Sequence, residues 1–586
     1  MSIMDDFEKE VSAKVSEALE RMGAADVAVQ TEEASVGGAD VAVPCFFMAK
    51  ALRRSPKDIA EELASAIRPS GLIGSVAAAN GFLNFVVDPV ALTRATLDDI
   101  CSKGSSYGHM PSSGIRVNVE HTSTNPTGPI HVGRARNPII GDTLARCLKR
   151  CGHKVTTEYY VNDVGKQVVV LTWGVENATP EEVAAEVEEH ARTIGRNEKE
   201  RDKTDHRLVA NYRVANKRME AEPEVKEEIT SMLRGFEAGD RTVIDTVRHT
   251  AEIMLDGLRE TLSAINVELD RYTWESGYIA DGSARNVVER LKASKYAGTT
   301  DDGACFVELK DFGVQGKNTK FTFTRSDGTT LYTTRDLAYH LDKFTRADRL
   351  IDVLGEDQKL GSKQLCCALE ILGCDRMPEP LFYAFVSLPE GKMSTRKGVV
   401  VYLDDLIDEA VARAYAEISK RRSDISEERK MEIARIIGIG AIRYNIVRVQ
   451  PEKQLVFKWE DALNFDGNSG PYLQYVHARA CSMLRRAGDF ERDTDPSKLT
   501  GEYEIKLVKV LSRYESVLKA AGNDKKVHLM PAYGHDLASA FNQFYAGESI
   551  LNAKESRNAK LTLVECAKTV LADVLDCLGM GAPEEM

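Results

Sequence analysis

IRVNVEHTSTNPTGPIHVGRARNPIIGDTLARCLKRCG, residues 115–152, is the segment from which the fold class follows. IRVNVEHT at its start is typical of a strand, because apolar and polar residues alternate. From residue 137 onward the apolar residues share one helical face, and Gly152 is a typical residue to end a helix. A strand, a Pro/Gly-rich loop and a helix form the first half of a parallel α/β unit.

The residues before this unit indicate a separate small domain. Residues 1–110 contain helical patterns followed by the alternating run GFLNFVV at 81–87, which predicts an amino-terminal α+β domain. The Pro/Ser/Gly-rich tract YGHMPSSG at 107–114 is a suitable boundary, because such residues favour turns and loops over helices and strands.

The residues after this unit predict one large α/β domain and one helical domain. Residues 111–415 contain further strand patterns, including ACFVELK at 304–310 and RLIDVLG at 349–355, and predict a Rossmann-like parallel-sheet core. A highly charged stretch at about 178–262 predicts a solvated helical insertion. Residues 416–586 show only helical patterns and predict an all-α domain. The chain is therefore expected to be a multidomain α/β protein.

The composition excludes several classes of protein. Lys and Arg total 77 against 90 Asp and Glu, a net charge of −13, which excludes non-specific coating of nucleic acid but permits a local basic surface. No apolar run approaches the roughly 20 residues that span a bilayer, and the acidic amino terminus is unlike a targeting segment. The 11 cysteines lack a CxxC spacing, so we expect reduced thiols, no metal site and a cytoplasmic protein.

NPTGPIHVGR, residues 125–134, is the first candidate site. It lies between the predicted strand and the predicted helix, so its backbone N–H groups and the helix dipole can face an anion. His131 can donate to a phosphate oxygen, and Gly133 leaves room for a nucleobase or ribose beside the backbone. Taken alone, a histidine in such a loop is more often an ordinary loop residue.

LPEGKMSTRKG, residues 388–398, is the second candidate site. Lys392, Arg396 and Lys397 form a cationic, glycine-flanked loop that can close over a triphosphate and neutralise charge on a leaving pyrophosphate. Taken alone, this segment is also typical of a solvated basic turn. The occurrence of both motifs in this order, on either side of an α/β core, favours nucleotide chemistry.

HVGR and KMSTR resemble the HIGH and KMSKS signatures of the class I aminoacyl-tRNA synthetases. Four segments, one of which includes HVGR, are similar to the arginyl-tRNA synthetases within that class: GFLNF (81–85), STNPTGPIHVGRARNPIIGD (123–142), SDGTTLYTTRDLAY (326–339) and SGPYLQYVHAR (469–479). The resemblance covers essentially the whole chain. It implies an additional tRNA-binding domain at the amino terminus, a catalytic core, and a helical anticodon-binding domain.

The resemblance also implies an activity and its partners. The expected enzyme is ATP-dependent and ligates L-arginine to tRNA-Arg through an arginyl adenylate, with release of AMP and pyrophosphate. Mg²⁺ is expected to enter with ATP rather than in a site caged by the protein. The enzyme is expected to be a monomer whose activation of arginine requires bound tRNA.

Four sets of functional residues are implied by the resemblance. Catalysis is assigned to His131, Arg134, Lys392 and Arg396. ATP binding is assigned to His131, Gly133, Gly355, Asp357, Lys392, Met393 and Ser394. Arginine binding is assigned to Glu120, Asn125, Glu275, Tyr332, Asp336 and Gln358. Contact with tRNA is assigned to Phe82, Asn84, Tyr472, Tyr475, Arg479 and Met586, for which packing within a hairpin or a helix is the alternative.

Side-chain chemistry agrees with an arginine substrate. A guanidinium is always charged and offers paired N–H donors, so it is best recognised by carboxylates. Tyr332 and Asp336 are four residues apart in a helical pattern and therefore share a face. The alternative for Asp336 is an ion pair with a nearby arginine such as Arg335, and the alternative for Glu275 is a surface position.

Two signature positions depart from the family pattern. Arg134 replaces the second histidine of HIGH, and it is a longer donor whose contact partner is left open. Thr395 replaces the second lysine of KMSKS, which leaves Arg396 or Lys397 as the second cation. Both departures concern the roles of individual residues and not the class of enzyme.

Two other functions compete with this interpretation. A class I synthetase for another amino acid would be favoured by a pocket without carboxylates, whereas Glu275 and Asp336 are both acidic. A non-catalytic tRNA-binding or scaffold protein would be expected to lose its phosphate-handling residues, whereas His131, Gly133 and Lys392 are all present.

Overall fold

A computed structural model of the chain describes residues 2–34, 38–194, 203–316, 319–387 and 401–586. One apolar core runs from the first helix of the chain through the central sheet to the last helix. Within the described ranges, no helix is both long enough and apolar enough to cross a lipid bilayer.

The amino-terminal residues form an α+β unit, as predicted. Its elements are α1 (Ile3–Arg21), β1 (Glu32–Glu33), β2 (Val41–Pro44), α2 (Ala49–Leu52), α3 (Pro56–Ala66), β3 (Ile73–Ala79), β4 (Phe82–Val87) and α4 (Pro89–Lys103). The sheet has the order β1-β2-β4-β3, with antiparallel neighbours throughout. Helix α1 begins at a capping box formed by Ser2 and Asp5, which satisfies backbone donors at the helix start.

The central residues form a parallel sheet of five strands, as predicted. The elements up to the end of the insertion are β5 (Arg116–Glu120), α5 (Arg136–Arg150), β6 (Lys154–Val161), α6 (Lys166–Asn177), α7 (Pro180–Ile194), α8 (Thr204–Ala221), α9 (Pro223–Glu237) and α10 (Arg241–Ala264). The following elements are β7 (Arg271–Trp274), α11 (Gly277–Ala280), α12 (Ser283–Lys292), β8 (Ala297–Thr299), β9 (Cys305–Glu308), β10 (Lys320–Thr322), α13 (Tyr332–Arg346), β11 (Arg349–Gly355), α14 (Lys359–Ile371), β12 (Glu379–Tyr383) and β13 (Val386–Ser387).

The central parallel sheet has the strand order β12-β11-β5-β6-β7, and this order determines where the candidate site lies. All neighbouring strands are parallel. From β5 the chain adds β6 and β7 on one side of the sheet, and from β11 it adds β12 on the other side. Helices α7 to α10 confirm the predicted helical insertion. The predicted strand at 304–310 lies in a separate antiparallel sheet of order β10-β9-β8, because alternation of side chains does not specify which strand will be the partner.

The carboxyl-terminal residues are almost entirely helical. Their elements are α15 (Leu403–Arg421), α16 (Glu427–Val447), β14 (Leu455–Val456), α17 (Trp459–Ala462), α18 (Gly470–Ala487), α19 (Glu502–Ser512), α20 (Tyr514–Gly522), α21 (Leu529–Gly547) and α22 (Arg557–Cys577). The expectation that strands are absent here is wrong in one detail, since β14 pairs in parallel with β13. A strand of two residues is too short to show periodicity in the sequence.

Arg443 of α16 joins three parts of the chain. Its side chain is fully buried, and its Nη2 donates to Oδ2 of Asp142 in α5. Nη1 donates to the carbonyl oxygen of Ile265 at 2.6 Å, and Nε donates to the carbonyl oxygen of Leu578 at 2.5 Å. A buried guanidinium therefore fixes the helical region against the central sheet and the end of the insertion.

Removal of the carboxylate partner of Arg443 should destabilise the fold. We expect Asp142→Ala to lower the free energy of unfolding by about 3–5 kcal/mol, because it leaves a buried charge uncompensated. Urea denaturation followed by circular dichroism measures this loss. The control Glu409→Ala breaks an exposed ion pair with Arg413 and should cost at most about 1 kcal/mol. Equal losses in the two variants would contradict the buried-pair explanation.

Candidate active site

The carboxyl ends of the parallel strands form the candidate site. In open α/β sheets, ligands bind in the crevice where the chain leaves neighbouring strands in opposite directions, and here that crevice lies between β5 and β11. Glu120 ends β5, Val161 ends β6 and Gly355 ends β11. Segments that are far apart in the sequence therefore meet at one edge of the sheet.

His131 lies in the loop between β5 and α5. It precedes the short 3-10 turn Val132–Arg134, which leads directly into α5. Nδ1 of His131 accepts the backbone N–H of Gly133 at 3.1 Å, so a neutral ring carries its proton on Nε2. Gly133 is buried and Arg134 is exposed. His131 can therefore donate from Nε2 to an anion near the start of the helix.

A tight backbone turn follows β11. A Cβ atom added at Gly355 would collide with Oδ1 of Asp357, so a larger residue here would require the Asp357 side chain to move. Asp357 and Gln358 are exposed in the turn. On the other side of the crevice, Nδ2 of Asn125 donates to Oε1 of Gln167 at 3.3 Å. The structure thus places four of the predicted binding residues at this edge.

The second predicted loop lies outside the described residues. It contains Lys392, Met393, Ser394, Thr395, Arg396 and Lys397. The described chain ends at Ser387 and resumes at Val401, so both flanks of this segment are known. The roles assigned to Lys392, Met393, Ser394 and Arg396, with Lys397 as the alternative second cation, stay predictions.

Glu275 is a fully buried carboxylate directly after β7, so the alternative of a surface position is wrong. Its Oε1 accepts the Nε–H of Arg335, whereas its Oε2 is buried and has no hydrogen-bond partner among the residues that the structure describes. Burial raises the pKa of Glu275 to about 7, although the charge of Arg335 opposes this shift. The carboxylate is therefore only half satisfied by the protein itself.

Asp336 and Tyr332 share one face of α13, as predicted. Oδ1 of Asp336 lies 3.1 Å from Nδ1 of His340, and the charge of Asp336 contributes to the raised pKa of Glu275. The alternative of an ion pair between Asp336 and Arg335 is wrong, because Arg335 pairs with Glu275. Two carboxylates and a tyrosine are therefore brought together.

Tyr160 is a pocket residue that the sequence analysis missed. It lies near the end of β6, and its ring centre is 6.4 Å from that of Tyr332. Its hydroxyl is buried and has no hydrogen-bond partner in the described ranges. Burial raises the pKa of Tyr160, and the charges of Glu275 and Asp336 raise it further. Its position at the carboxyl end of a strand was the available signal.

Glu120 belongs to a charged network behind Asp336. Its Oε2 accepts Nζ of the fully buried Lys343 at 2.8 Å, and the same ammonium donates to Asp352 at 2.8 Å. His340 lies 3.0 Å from Asp352 on its other side. Burial and Lys343 lower the pKa of His340, but the charges of Asp336 and Asp352 raise it to about 10. Burial raises the pKa of Asp352, but the charges of Lys343 and His340 outweigh it and hold that pKa well below its usual range, whereas burial dominates at Glu120 and raises its pKa.

Tyr475, Arg479 and Met586 line an open cleft of about 410 Å³ among the carboxyl-terminal helices. The guanidinium carbon of Arg479 lies 4.6 Å from the ring centre of Tyr475 and 4.8 Å from that of Tyr545. Arg422 donates to the carbonyl oxygen of Met586 at 2.9 Å. With Tyr475 38% exposed, the cleft offers a stacking surface and positive charge.

The other three residues predicted to contact tRNA are less exposed than Tyr475. Tyr472 is half-buried, and its hydroxyl accepts Nδ2 of Asn542 at 3.0 Å. Phe82 is half-buried and lies edge-on to the exposed Phe46, with 5.1 Å between ring centres. Asn84 is only 6% exposed, and no described residue forms a hydrogen bond with its Nδ2. For Asn84 the position fits the packing alternative.

Three family comparisons match the chain in the order of its regions. Residues 7–87 match the family described as "Arginyl tRNA synthetase N terminal domain". Residues 96–459 match "tRNA synthetases class I (R), catalytic domain". Residues 473–586 match "DALR anticodon binding domain". Together these matches extend over nearly the whole chain.

Individual proteins are similar to this chain over most of its length. A Methanocella arvoryzae protein named Arginine--tRNA ligase is 44% identical over 542 residues, which cover 92% of each chain. A protein of the same name from Methanothermobacter thermautotrophicus is 37% identical over 584 residues, 99% of each chain. The solved arginyl-tRNA synthetase of Thermus thermophilus has a TM-score of 0.81 and 28% identity, and the match covers 99% of this chain and 100% of that one.

Proposed function

This chain belongs to the arginyl-tRNA synthetase family of class I aminoacyl-tRNA synthetases, and from this premise we propose how its residues act. It ligates L-arginine to tRNA-Arg through an arginyl adenylate. In our proposal the substrate is MgATP, and the arginine carboxylate attacks the α-phosphorus in line and displaces pyrophosphate. A ribose hydroxyl at the end of tRNA then attacks the arginyl carbonyl and displaces AMP.

Phosphate binding is assigned to the two signature loops. His131 donates from Nε2 to a phosphate oxygen at the start of α5, where the helix dipole favours an anion. Lys392 and Arg396 neutralise the charge that develops on the leaving pyrophosphate, and Arg134 is a further donor. No side chain becomes covalent, so catalysis rests on positioning and charge stabilisation.

The nucleoside is assigned to the turn after β11 and to the first signature loop. Gly133 is buried without a side chain of its own, and Gly355 leaves room for the side chain of Asp357 beside the turn. We infer that Asp357 accepts from the ribose, while Met393 and Ser394 complete the site. Asn125 and Gln358 are assigned to the amino and carboxylate groups of arginine.

One observation supports arginine as the amino acid: within the described part of the chain, Oε2 of Glu275 is buried and unpaired. An unpaired carboxylate oxygen in the interior is costly, and a guanidinium supplies the two parallel N–H donors that satisfy a carboxylate. Asp336 provides a second carboxylate, and Tyr332 and Tyr160 provide hydroxyls beside it. A neutral amino-acid side chain would leave these groups unsatisfied.

Aminoacylation of total tRNA with arginine, lysine, glutamate and cysteine, with and without ATP, tests the proposal. We expect charging by arginine alone, and only with ATP. Charging by another amino acid would favour a class I synthetase of different specificity. Absence of charging by protein that still binds tRNA would favour the scaffold alternative.

The arginine pocket predicts a dependence on pH. Arginine binds the ionised form of Glu275, whose raised pKa of about 7 means that protonation at lower pH competes with binding. We expect kcat/KM for arginine to fall about tenfold from pH 8 to pH 6, because this ratio reports groups of the free enzyme. The dependence should disappear in Glu275→Gln, and a titration that persists in that variant would assign it to another group.

The cleft at Tyr475 predicts a specific loss of tRNA binding. Stacking on an aromatic ring is worth about 1–3 kcal/mol per base, so Tyr475→Ala should raise the KM for tRNA about 5- to 150-fold. Tyr475→Phe retains the ring and should retain most of the affinity. Tyr503→Ala removes a tyrosine of similar exposure, 39%, from outside the cleft and is the control. A parallel rise in the KM for ATP would indicate a folding defect instead.

Several properties remain proposals beside this function. We interpret residues 1–110, 111–415 and 416–586 as three domains. The insertion at about 178–262 is interpreted as a separate functional unit within the second domain. We infer that the enzyme acts as a monomer in the cytoplasm, and that the amino-terminal unit with Phe82 contacts tRNA. Sedimentation of the purified enzyme, with and without tRNA, measures the oligomeric state.

A further inference from the structure

Helix α15 begins beside the His131 loop at a cluster of buried polar groups from the insertion. Asp404, in the first turn of α15, is 6% exposed. Its carboxylate lies 2.9 Å from Nε2 of His206 and accepts Oγ1 of Thr261 at 3.0 Å and Nζ of Lys203 at 3.2 Å. All three partners lie within or beside the insertion helices α8 and α10. We call these groups, together with Asp205, the Asp404 cluster.

The Asp404 cluster is an ion-paired network. Ligand atoms of Asp205, His206 and Asp404 lie within 4.8 Å of one another, a spacing that a metal ion could use. The ammonium of Lys203, however, lies 3.2 Å from Asp205 and 3.2 Å from Asp404, so an internal cation already balances these carboxylates. Asp205 is fully buried against Gly257, where an added Cβ would lie 2.6 Å from its Oδ1. The cluster is therefore tightly packed.

The residues directly before Asp404 are joined to the His131 loop by their backbone. Residues 401–403 run antiparallel to residues 130–132, with His131 opposite Tyr402. Backbone hydrogen bonds of 2.8 and 2.9 Å join the two segments on either side of that pair. The ring of His206 also meets Tyr402 edge-on, with 5.1 Å between ring centres. A continuous path of contacts thus leads from the insertion to His131.

We propose that the insertion positions His131 through the Asp404 cluster, with Asp404, His206 and Thr261 as positioning residues. By holding residues 401–403, these side chains fix the backbone segment that carries His131. Displacement of a catalytic group by about 1 Å can cost about 10²-fold in rate, so the cluster acts without touching substrate. This inference rests on the proposed role of His131 at the ATP phosphates.

Asp404→Asn in the full-length enzyme is the primary test. The variant preserves size but removes the charge that accepts from three partners. We expect kcat for arginylation, expressed per active site, to fall about 10- to 100-fold, while the KM values for arginine and tRNA stay unchanged because neither binding surface includes the cluster. Active sites are counted by equilibrium titration with labelled tRNA, which does not depend on the rate of the chemical step and so separates a positioning defect from a loss of folded protein.

His206 offers a second, matched pair of variants. His206→Gln retains an N–H donor and should preserve most of kcat, whereas His206→Leu should lower kcat about tenfold. Glu222→Gln breaks an exposed ion pair with Arg218 in the same insertion and should leave kcat unchanged. Rescue by glutamine and the silent control together distinguish a specific contact from general damage to the insertion.

The possible failures are distinguishable. Unchanged kcat per active site in both Asp404→Asn and His206→Leu would overturn the inference. A decrease confined to the number of active sites, with normal kcat for the remainder, would also overturn it, because the cluster would then serve only folding. Wild-type enzyme that charges no tRNA with arginine would instead refute the proposed function.

Discussion

Replacing Asp336 with alanine is expected to raise the KM for arginine by about 30-fold to several thousand-fold. Truncation of one partner of a desolvated charge pair costs about 2–5 kcal/mol, and each 1.4 kcal/mol corresponds to about tenfold in affinity. The carboxylate of Asp336 is held by His340, which is itself fixed by Asp352, so little of the loss can be compensated by rearrangement. Initial rates of arginylation at varied arginine measure the effect.

The KM for ATP provides the internal comparison for Asp336→Ala and should not change. Asp342→Ala is the matched control, since Asp342 lies on the same helix but is engaged with Tyr278 and Arg346. An unchanged dependence on arginine in Asp336→Ala would remove Asp336 from the pocket. A similar rise in both variants would point to damage to α13 as a whole.

The second large effect is expected at His131. His131→Ala should lower kcat by about 10²- to 10³-fold, the usual cost of losing one preorganised donor to a developing charge. The KM for arginine should not change, because the guanidinium pocket is formed by other residues. Single-turnover formation of arginyl-tRNA at saturating substrates measures the effect on the chemical step.

His153→Ala is the matched control for His131. His153 precedes β6, at the amino end of the parallel sheet, and bonds to Ser113 and Asn523. It is therefore remote from the carboxyl edge and should leave kcat unchanged. If His131→Ala raised only the KM for ATP and left kcat unchanged, His131 would bind the phosphates in the ground state without stabilising the transition state.

Parts of the site were predictable because local sequence and local structure agree. The strand at 115–122, the glycine-rich loop and the helix after it carry their own periodicity and turn residues, and all three were confirmed as β5, the loop and α5. Tyr332 and Asp336 share a helical face for the same local reason. Such features depend on residues within a few positions of one another.

Other parts depended on contacts between distant segments. The sequence left Glu275 open as a surface residue and Asp336 as a partner of Arg335, and both alternatives were wrong because Arg335 turns towards Glu275, 60 residues away. Tyr160 was missed because nothing in its neighbourhood shows that its hydroxyl is buried beside two carboxylates. For the same reason, the sequence did not determine the partners of the strand at 304–310 or the pairing of β14 with β13.

The amino-acid sequence by itself determined the fold class, the order of the regions, the two nucleotide signatures and the family. These follow from periodicity, turn chemistry and short motifs, which are encoded within single segments. Only the tertiary structure decided which charges pair, which carboxylate oxygen stays unsatisfied, and which insertion side chains fix the segment opposite His131. Ion pairs and burial depend on distances between segments that are far apart in the chain, and charge alone does not specify a partner among 77 basic and 90 acidic residues.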